Sequence, residues 1–123
     1  MSGSSADESL ELNLRFDAQG LIPVIVSDVA DNSVLMFAYM NTDALTETQR
    51  SGIVHFYSRS RARLWKKGET SGETFEVVEM RVDCDQDVLL IQVKSQGKGN
   101  ACHTGRRSCF YRVIENGKLV FKD

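Results

Sequence analysis

The 123-residue sequence contains no apolar run approaching the roughly 18 residues of a membrane span. Its opening, Met1-Ser-Gly-Ser-Ser-Ala-Asp-Glu8, has neither a basic region nor an apolar core, which argues against a signal peptide. No membrane partner and a cytoplasmic location are therefore expected. A basic excess is missing too: 15 Lys+Arg stand against 17 Asp+Glu, a net charge of −2. Proteins that grip nucleic acid through its phosphates usually carry a positive balance, so no nucleic-acid partner is expected, although a local basic patch is not excluded by a total. Cysteines number three, an odd count that leaves one over from any disulfide framework. None of them forms C-x-x-C, which disfavours a redox thiol protein. There is no GxGxxG and no P-loop order of residues, and no internal repeat.

What is present suits one globular domain: 41% hydrophobic and 26% charged residues. Residues 1–8 are small and polar and read as a disordered tail; residues 9–123 read as a single domain. Leu12, Leu14 and Phe16 alternate with polar residues and predict a strand, Asp17–Gly20 a turn, and Leu21–Val29 a second strand. Pro23, the one proline, falls near that strand's start, where it is tolerated. After Asp31-Asn32 comes the apolar run Val34–Met40. Asn41 or Thr42 can cap a short helix that Gly52 closes. Ile53–Tyr57, Thr74–Val82 and Val88–Lys94 read as strands, residues 58–73 as a polar loop, and Ser95–Gly105 as a mobile connection. Phe110–Glu115 and Lys118–Phe121 flank Asn116-Gly117, a strong hairpin signal. The class is α+β, β-rich and mostly antiparallel, with one or two short helices.

Three groups of residues carry chemistry. In Asp83-Cys84-Asp85-Gln86-Asp87 the carboxylates at i, i+2 and i+4 share one face of an extended segment, with Cys84 on the other. Such a face suits a hard cation such as Mg²⁺, which takes oxygen ligands and keeps several waters; a solvated acidic turn is the alternative. Cys84, Cys102 and Cys109 form the second group. Their spacing is wider than a zinc finger's, and buried cysteines often serve as small apolar residues. Cys84, however, is flanked by two carboxylates, and Cys102 lies beside His103 in a Gly-rich polar stretch. Three thiolates suit zinc, and a three-ligand site is the open, catalytic kind. His103 is a fourth ligand, a proton-transfer group or a surface residue. Its adjacency to Cys102 favours proton transfer, because imidazole changes charge between about pH 5 and 8. His55, inside a strand, reads as a half-buried structural residue.

The third group is basic. Arg59, Arg61, Arg63, Lys66 and Lys67 surround Trp65 and run into Gly68-Glu-Thr-Ser-Gly72. Guanidinium forks, the hydroxyls of Ser60, Thr70 and Ser71 and glycine amides are suited to phosphate, and Trp65 to stacking on a base. A solvated basic loop is the alternative. Together the three groups describe a metal-dependent hydrolase of a phosphorylated small molecule.

The runs Phe56–Gly72, Asp83–Asp87 and Cys102-His-Thr-Gly105, with Cys109, closely resemble the phosphoribosyl-AMP cyclohydrolase family of histidine biosynthesis. The likeness extends over roughly Leu21 to Ile114, and the absence of a pyrophosphohydrolase domain after it suggests a monofunctional member. The resemblance implies hydrolytic opening of the adenine ring of N1-(5-phosphoribosyl)-AMP at the N1–C6 bond. It further implies an intertwined homodimer with one Zn²⁺ and one Mg²⁺ per subunit. Cys84 of one subunit and Cys102 and Cys109 of the other match zinc ligands. Asp83, Asp85 and Asp87 match the magnesium site, and His103 a proton-transfer histidine. Arg59, Ser60, Arg61, Trp65, Lys67, Thr70 and Ser71 are the expected substrate contacts. The zinc deaminases that also attack C6 of adenine carry an H-x-E…P-C-x-x-C signature that is absent here.

Overall fold

Eight strands and one helix make up residues 9–122, the part of the chain that the computed structural model describes; the tail expected over residues 1–8 lies outside the described residues. In chain order they are β1 (Ile22–Asp28), β2 (Val34–Met40), α1 (Thr42–Ser51), β3 (His55–Ser58), β4 (Arg63–Lys66), β5 (Phe75–Val82), β6 (Leu89–Ser95), β7 (Arg112–Glu115) and β8 (Lys118–Phe121). Four strands form one sheet in the order β2-β1-β6-β5, while β3–β4 and β7–β8 are separate two-stranded units. The strand-rich, mostly antiparallel class expected from the sequence is what forms, with a single helix among the described residues.

Alternation explains the central strand. Ile22, Val24 and Val26 of β1 are fully buried and stack with Ile91 and Val93 of β6. These two strands run parallel, pairing Val24 with Leu89 through Asp28 with Val93. Pro23 lies just before that register begins, so its missing N–H removes no bond from the β1–β6 ladder. The antiparallel partners β2 and β5 flank the pair.

Helix α1 starts where Asn41 accepts a bond from the Ala44 amide at 2.8 Å and stops at Gly52, whose φ of 75° only glycine adopts freely. Its Ala44, Leu45 and Thr48 are buried. Thr48 is fully buried and fastens the helix to β3: its hydroxyl donates to the Ala44 carbonyl at 2.8 Å and accepts from the His55 amide at 2.9 Å. His55 itself is buried, its Nδ1 2.8 Å from the Ile53 carbonyl.

Two expectations need correction. The alternating Leu12–Phe16 segment is not a strand. Its amides turn to Gln86 instead, Asn13 N–H to the side-chain oxygen and Arg15 N–H to the carbonyl, both at 2.8 Å, while Leu14 and Phe16 pack on the core. Residues 58–73 are not all loop, because β4 pairs with β3 there. Apolar Leu64 and Trp65 are enclosed by Arg63 and Lys66, which masks the strand; the Trp65 ring packs 5.1 Å from that of Phe56. The Asn116-Gly117 turn is as expected, with positive φ at both residues.

Arg107 joins the segment after β6 to the β1–β2 turn. Its guanidinium donates to Asp28 at 2.9 Å and to both Asp31 oxygens at 2.9 and 3.1 Å. The hydroxyl and amide of Ser33, followed by Arg107, hold the Asp31 carboxyl down at about 2 against an ordinary 3.8.

Two outcomes follow from these contacts. Thr48→Val, which keeps shape but strands the buried His55 amide, should cost about 1–3 kcal/mol in urea unfolding. Because the folded Asp31 carboxyl sits below its unfolded value, its contribution is complete above about pH 4 and is lost as pH falls towards 2. Asp31→Asn should therefore lower the urea midpoint at neutral pH and flatten its decline between pH 4 and 2. An unchanged decline would show that the clamp does not contribute to acid stability.

Candidate active site

A cleft of about 1070 Å³ lies between β2, the β3–β4 hairpin and the segment that follows β6. Its walls come from β2 (Met36, Ala38, Tyr39), the β3–β4 hairpin, the turn after it, and the Cys102–Cys109 segment. Ser60, Arg61, Trp65, Lys67, Thr70, Ser71, Cys102, His103 and Cys109 all line it. Arg59 is not among the lining residues; its guanidinium lies 4.2 Å from the ring centroid of Tyr39, which is. Of the other cations, Arg63 is paired with Glu69 at 2.6 Å, whereas Arg61, Lys66 and Lys98 line the wall without a carboxylate ion pair among the described residues.

The thiol pair is built by backbone hydrogen bonds. Ala101 N–H to Arg107 O and Cys102 N–H to Arg106 O close the loop at its base, at 3.1 and 3.0 Å. Cys109 N–H then bonds the Leu35 carbonyl at 2.7 Å, and the Ser108 hydroxyl the Val34 carbonyl at 2.8 Å, which sets Cys109 against β2. Cys102 is buried, and its Sγ accepts from the Thr104 hydroxyl at 3.0 Å. Burial opposes ionisation of Cys102, but bonds from Thr104, the Cys109 thiol and the charge of Arg106 outweigh it and lower its pKa. Burial and then the neighbouring Cys102 push Cys109 up to about 11. Lys67 lines the same cleft; it is buried, its ammonium 5.4 Å from the Phe75 ring, and burial depresses its pKa. His103 is exposed at the cleft rim.

Cys84 is elsewhere. It is exposed in the β5–β6 turn, at the opposite end of β6, and among the described residues the three thiols do not converge. Two thiols of one chain are a partial donor set for zinc.

The carboxylates of Asp83, Asp85 and Asp87 do converge, their oxygens within 4.8 Å of one another. The reason differs from the sequence expectation. The segment is a turn, not an extended strand: Gln86 takes φ 61°, and Asp83 Oδ1 accepts the amides of Asp87 and Val88 at 2.9 and 3.1 Å. Hydrogen bonding to Asp83 and then Asp85 pushes the Asp87 carboxyl up to about 6. Burial opposes the ionisation of Asp83, but the bonds from Asp87, Asp85 and the two amides hold its pKa down. Asp85 Oδ1 is buried without a hydrogen-bond partner. An orphaned oxygen beside two more carboxylates fits a hard cation.

Two supports escaped the sequence reading. Buried Gln86 holds the acidic turn through its side chain, accepting from Asn13 and donating to the Glu11 carbonyl at 3.0 Å. Glu73 holds the Ser95–Gly105 stretch through the amides of Lys98, Gly99 and Asn100, so the connection expected to be mobile is tied at its centre. Nothing local marks either residue; only the glycines at 97 and 99 hint that a close approach is made there.

The family model described as phosphoribosyl-AMP cyclohydrolase matches residues 36–111, a span that includes the cleft, the thiol loop and the acidic turn. A protein of that name from Caulobacter sp. (strain K31) is 57% identical over 109 residues, 89% of this chain and 81% of its own. One from Hyphomonas neptunium is 54% identical over 121 residues, covering 98% of this chain and 91% of its own. One from Brucella abortus is 59% identical over 107 residues, covering 86% and 90%. With a match over more than half its length and relatives this similar along almost their whole chains, the protein belongs to the phosphoribosyl-AMP cyclohydrolase family.

Proposed function

We propose that the protein is a phosphoribosyl-AMP cyclohydrolase of histidine biosynthesis, hydrolysing the N1–C6 bond of N1-(5-phosphoribosyl)-AMP to the formimino aminoimidazole carboxamide ribotide with zinc and magnesium. The observation that carries this reading is the grouping of two thiols, one histidine and a basic wall in one cleft. Cys102 and Cys109 of one subunit, with Cys84 of a second, would hold zinc; Asp83, Asp85 and Asp87 would hold magnesium. When bound, zinc supplies activation of water near neutral pH, and magnesium a hard, oxygen-seeking charge. The assembly is a homodimer in this reading, since a single chain leaves Cys84 apart from the pair.

The chain's own residues do the rest. A substrate with two phosphates needs cations in two places. Arg61 and Lys66 stand on the hairpin wall and Lys98 on the opposite segment, so the cleft offers charge on both sides of a bound nucleotide. Hydroxyls of Ser60, Thr70 and Ser71 add acceptor and donor capacity along the hairpin wall. Tyr39, with the Arg59 guanidinium over its ring, and Trp65, fixed on Phe56, give rigid aromatic surface for the purine. The N1 ribose phosphate makes the ring prone to addition at C6. His103, at the rim, is placed to take the proton from the attacking water and return it to N1 as the N1–C6 bond breaks.

Turnover of N1-(5-phosphoribosyl)-AMP, followed by ultraviolet absorbance in protein loaded with both metals, tests the assignment. His103→Ala should keep its metals and lose roughly 10²–10⁴-fold in kcat. AMP, which lacks the activating N1 group and the second phosphate, should be a poor substrate even at saturation. Equal turnover of AMP and N1-(5-phosphoribosyl)-AMP, or none of the latter by metal-replete protein, would contradict the reading.

A further inference from the structure

Glu73 is a charged residue of the cleft wall with no part in the chemistry above. Its Oε1 accepts from the Lys98 amide at 3.0 Å, and its Oε2 from the amides of Gly99 and Asn100 at 2.9 and 3.3 Å. Three successive backbone N–H groups converging on one anion make a nest, here filled by the protein's own carboxylate. Cys102 follows two residues after the last of these amides. The approach is close: a Cβ on Gly97 would lie 2.8 Å from Glu73 Oε2. The backbone of Glu73 is itself pinned, since a Cβ on Gly68 would meet its carbonyl carbon at 2.4 Å. Buried Lys67 lines the same cleft as Glu73 and the two thiols, and the charges of Cys109, Glu73 and Cys102 all act on its ammonium.

We propose that Glu73 is a positioning residue, a clasp between the β3–β4 side of the cleft and the segment entering Cys102 that sets the two thiols, and Lys67 beside them, at the separation a shared metal requires. The proposal rests on the reading of Cys102 and Cys109 as zinc ligands. A carboxylate is needed because it presents two acceptor oxygens to three donors; an amide of the same size offers one oxygen and turns an N–H₂ towards an N–H. Outer contacts that orient ligands commonly govern metal affinity by 10–100-fold.

The test compares full-length Glu73→Gln with wild type and with Glu79→Gln, which alters an exposed ion pair with Arg81. Amide exchange is followed at residues 98–100 and at Cys102, zinc affinity by chelator competition, and thiolate-to-cobalt charge-transfer absorption in Co²⁺-loaded protein. Glu73→Gln should exchange faster at all four amides, bind zinc about 10-fold more weakly and show an altered cobalt spectrum, while Glu79→Gln matches wild type. Should Glu73→Gln fail to fold, Gly97→Ala crowds the same carboxylate from the other side and should give the same pattern. Faster exchange with unchanged zinc affinity and cobalt spectrum would reduce Glu73 to a loop tie and overturn the proposal, as would no change in any reading. If wild type takes up no zinc, the metal reading of the thiols fails by itself. The clasp is then decided by the Cys102 amide: faster exchange in Glu73→Gln sustains it, and unchanged exchange overturns it.

Discussion

The parallel pairing of β1 with β6 fixes where everything else can go. Two adjacent parallel strands need a crossover, and here the crossover consumes β2, α1, β3–β4 and β5 before β6 is laid down. The seven residues of β6 then hold its two ends about 20 Å apart at about 3.3 Å per residue. The acidic turn with Cys84 precedes its first residue. The segment that Glu73 clasps, and Cys102 with it, follows its last. Cys109 is held at that second end by Leu35, beside the β1–β2 turn. Separation of one thiol from the other two is thus a consequence of strand geometry, not of a loop's momentary position.

Charge divides along the same axis. Arg61, Lys66, Lys67 and Lys98 gather at the cleft, and Asp83, Asp85 and Asp87 at the opposite turn. A net charge of −2 hides this polarity. At the acidic end Asp83 and Asp85 push the Asp87 carboxyl up to about 6, and Asp85 Oδ1 is buried and unpartnered. At the other end one thiol is depressed and its neighbour raised. Each end alone is an incomplete electrostatic arrangement. In the proposed dimer a two-fold operation brings the turn of one subunit to the cleft of the other, and generates two equivalent sites at once.

Legibility in the sequence followed physical locality. Strands with period-two burial, the Asn41 cap, the Gly52 stop and the Asn116-Gly117 turn are each encoded within a few residues and were readable. β4 was not, because Arg63 and Lys66 on either side of Leu64-Trp65 look like solvated charge, and only pairing with β3 makes a strand of them. The Leu12–Phe16 alternation misled in the opposite way: its amides found Gln86, a residue more than seventy positions away, before they found a strand. Local reading also recovered the types of residue in the site, since carboxylates, thiols and guanidinium groups declare their chemistry. It missed Glu73 and Gln86, whose importance lies in backbone amides brought to them by the fold.

The division of the thiols between subunits is the central claim, and mixed dimers test it most directly. Cys84→Ser and Cys102→Ser homodimers are each expected to be inactive. A verified heterodimer of the two places both lesions in one site and leaves the other whole, so it should recover about half the wild-type turnover and hold zinc in one of its two sites. Absence of both activity and zinc from verified heterodimers, with the wild-type dimer fully competent, would contradict the account.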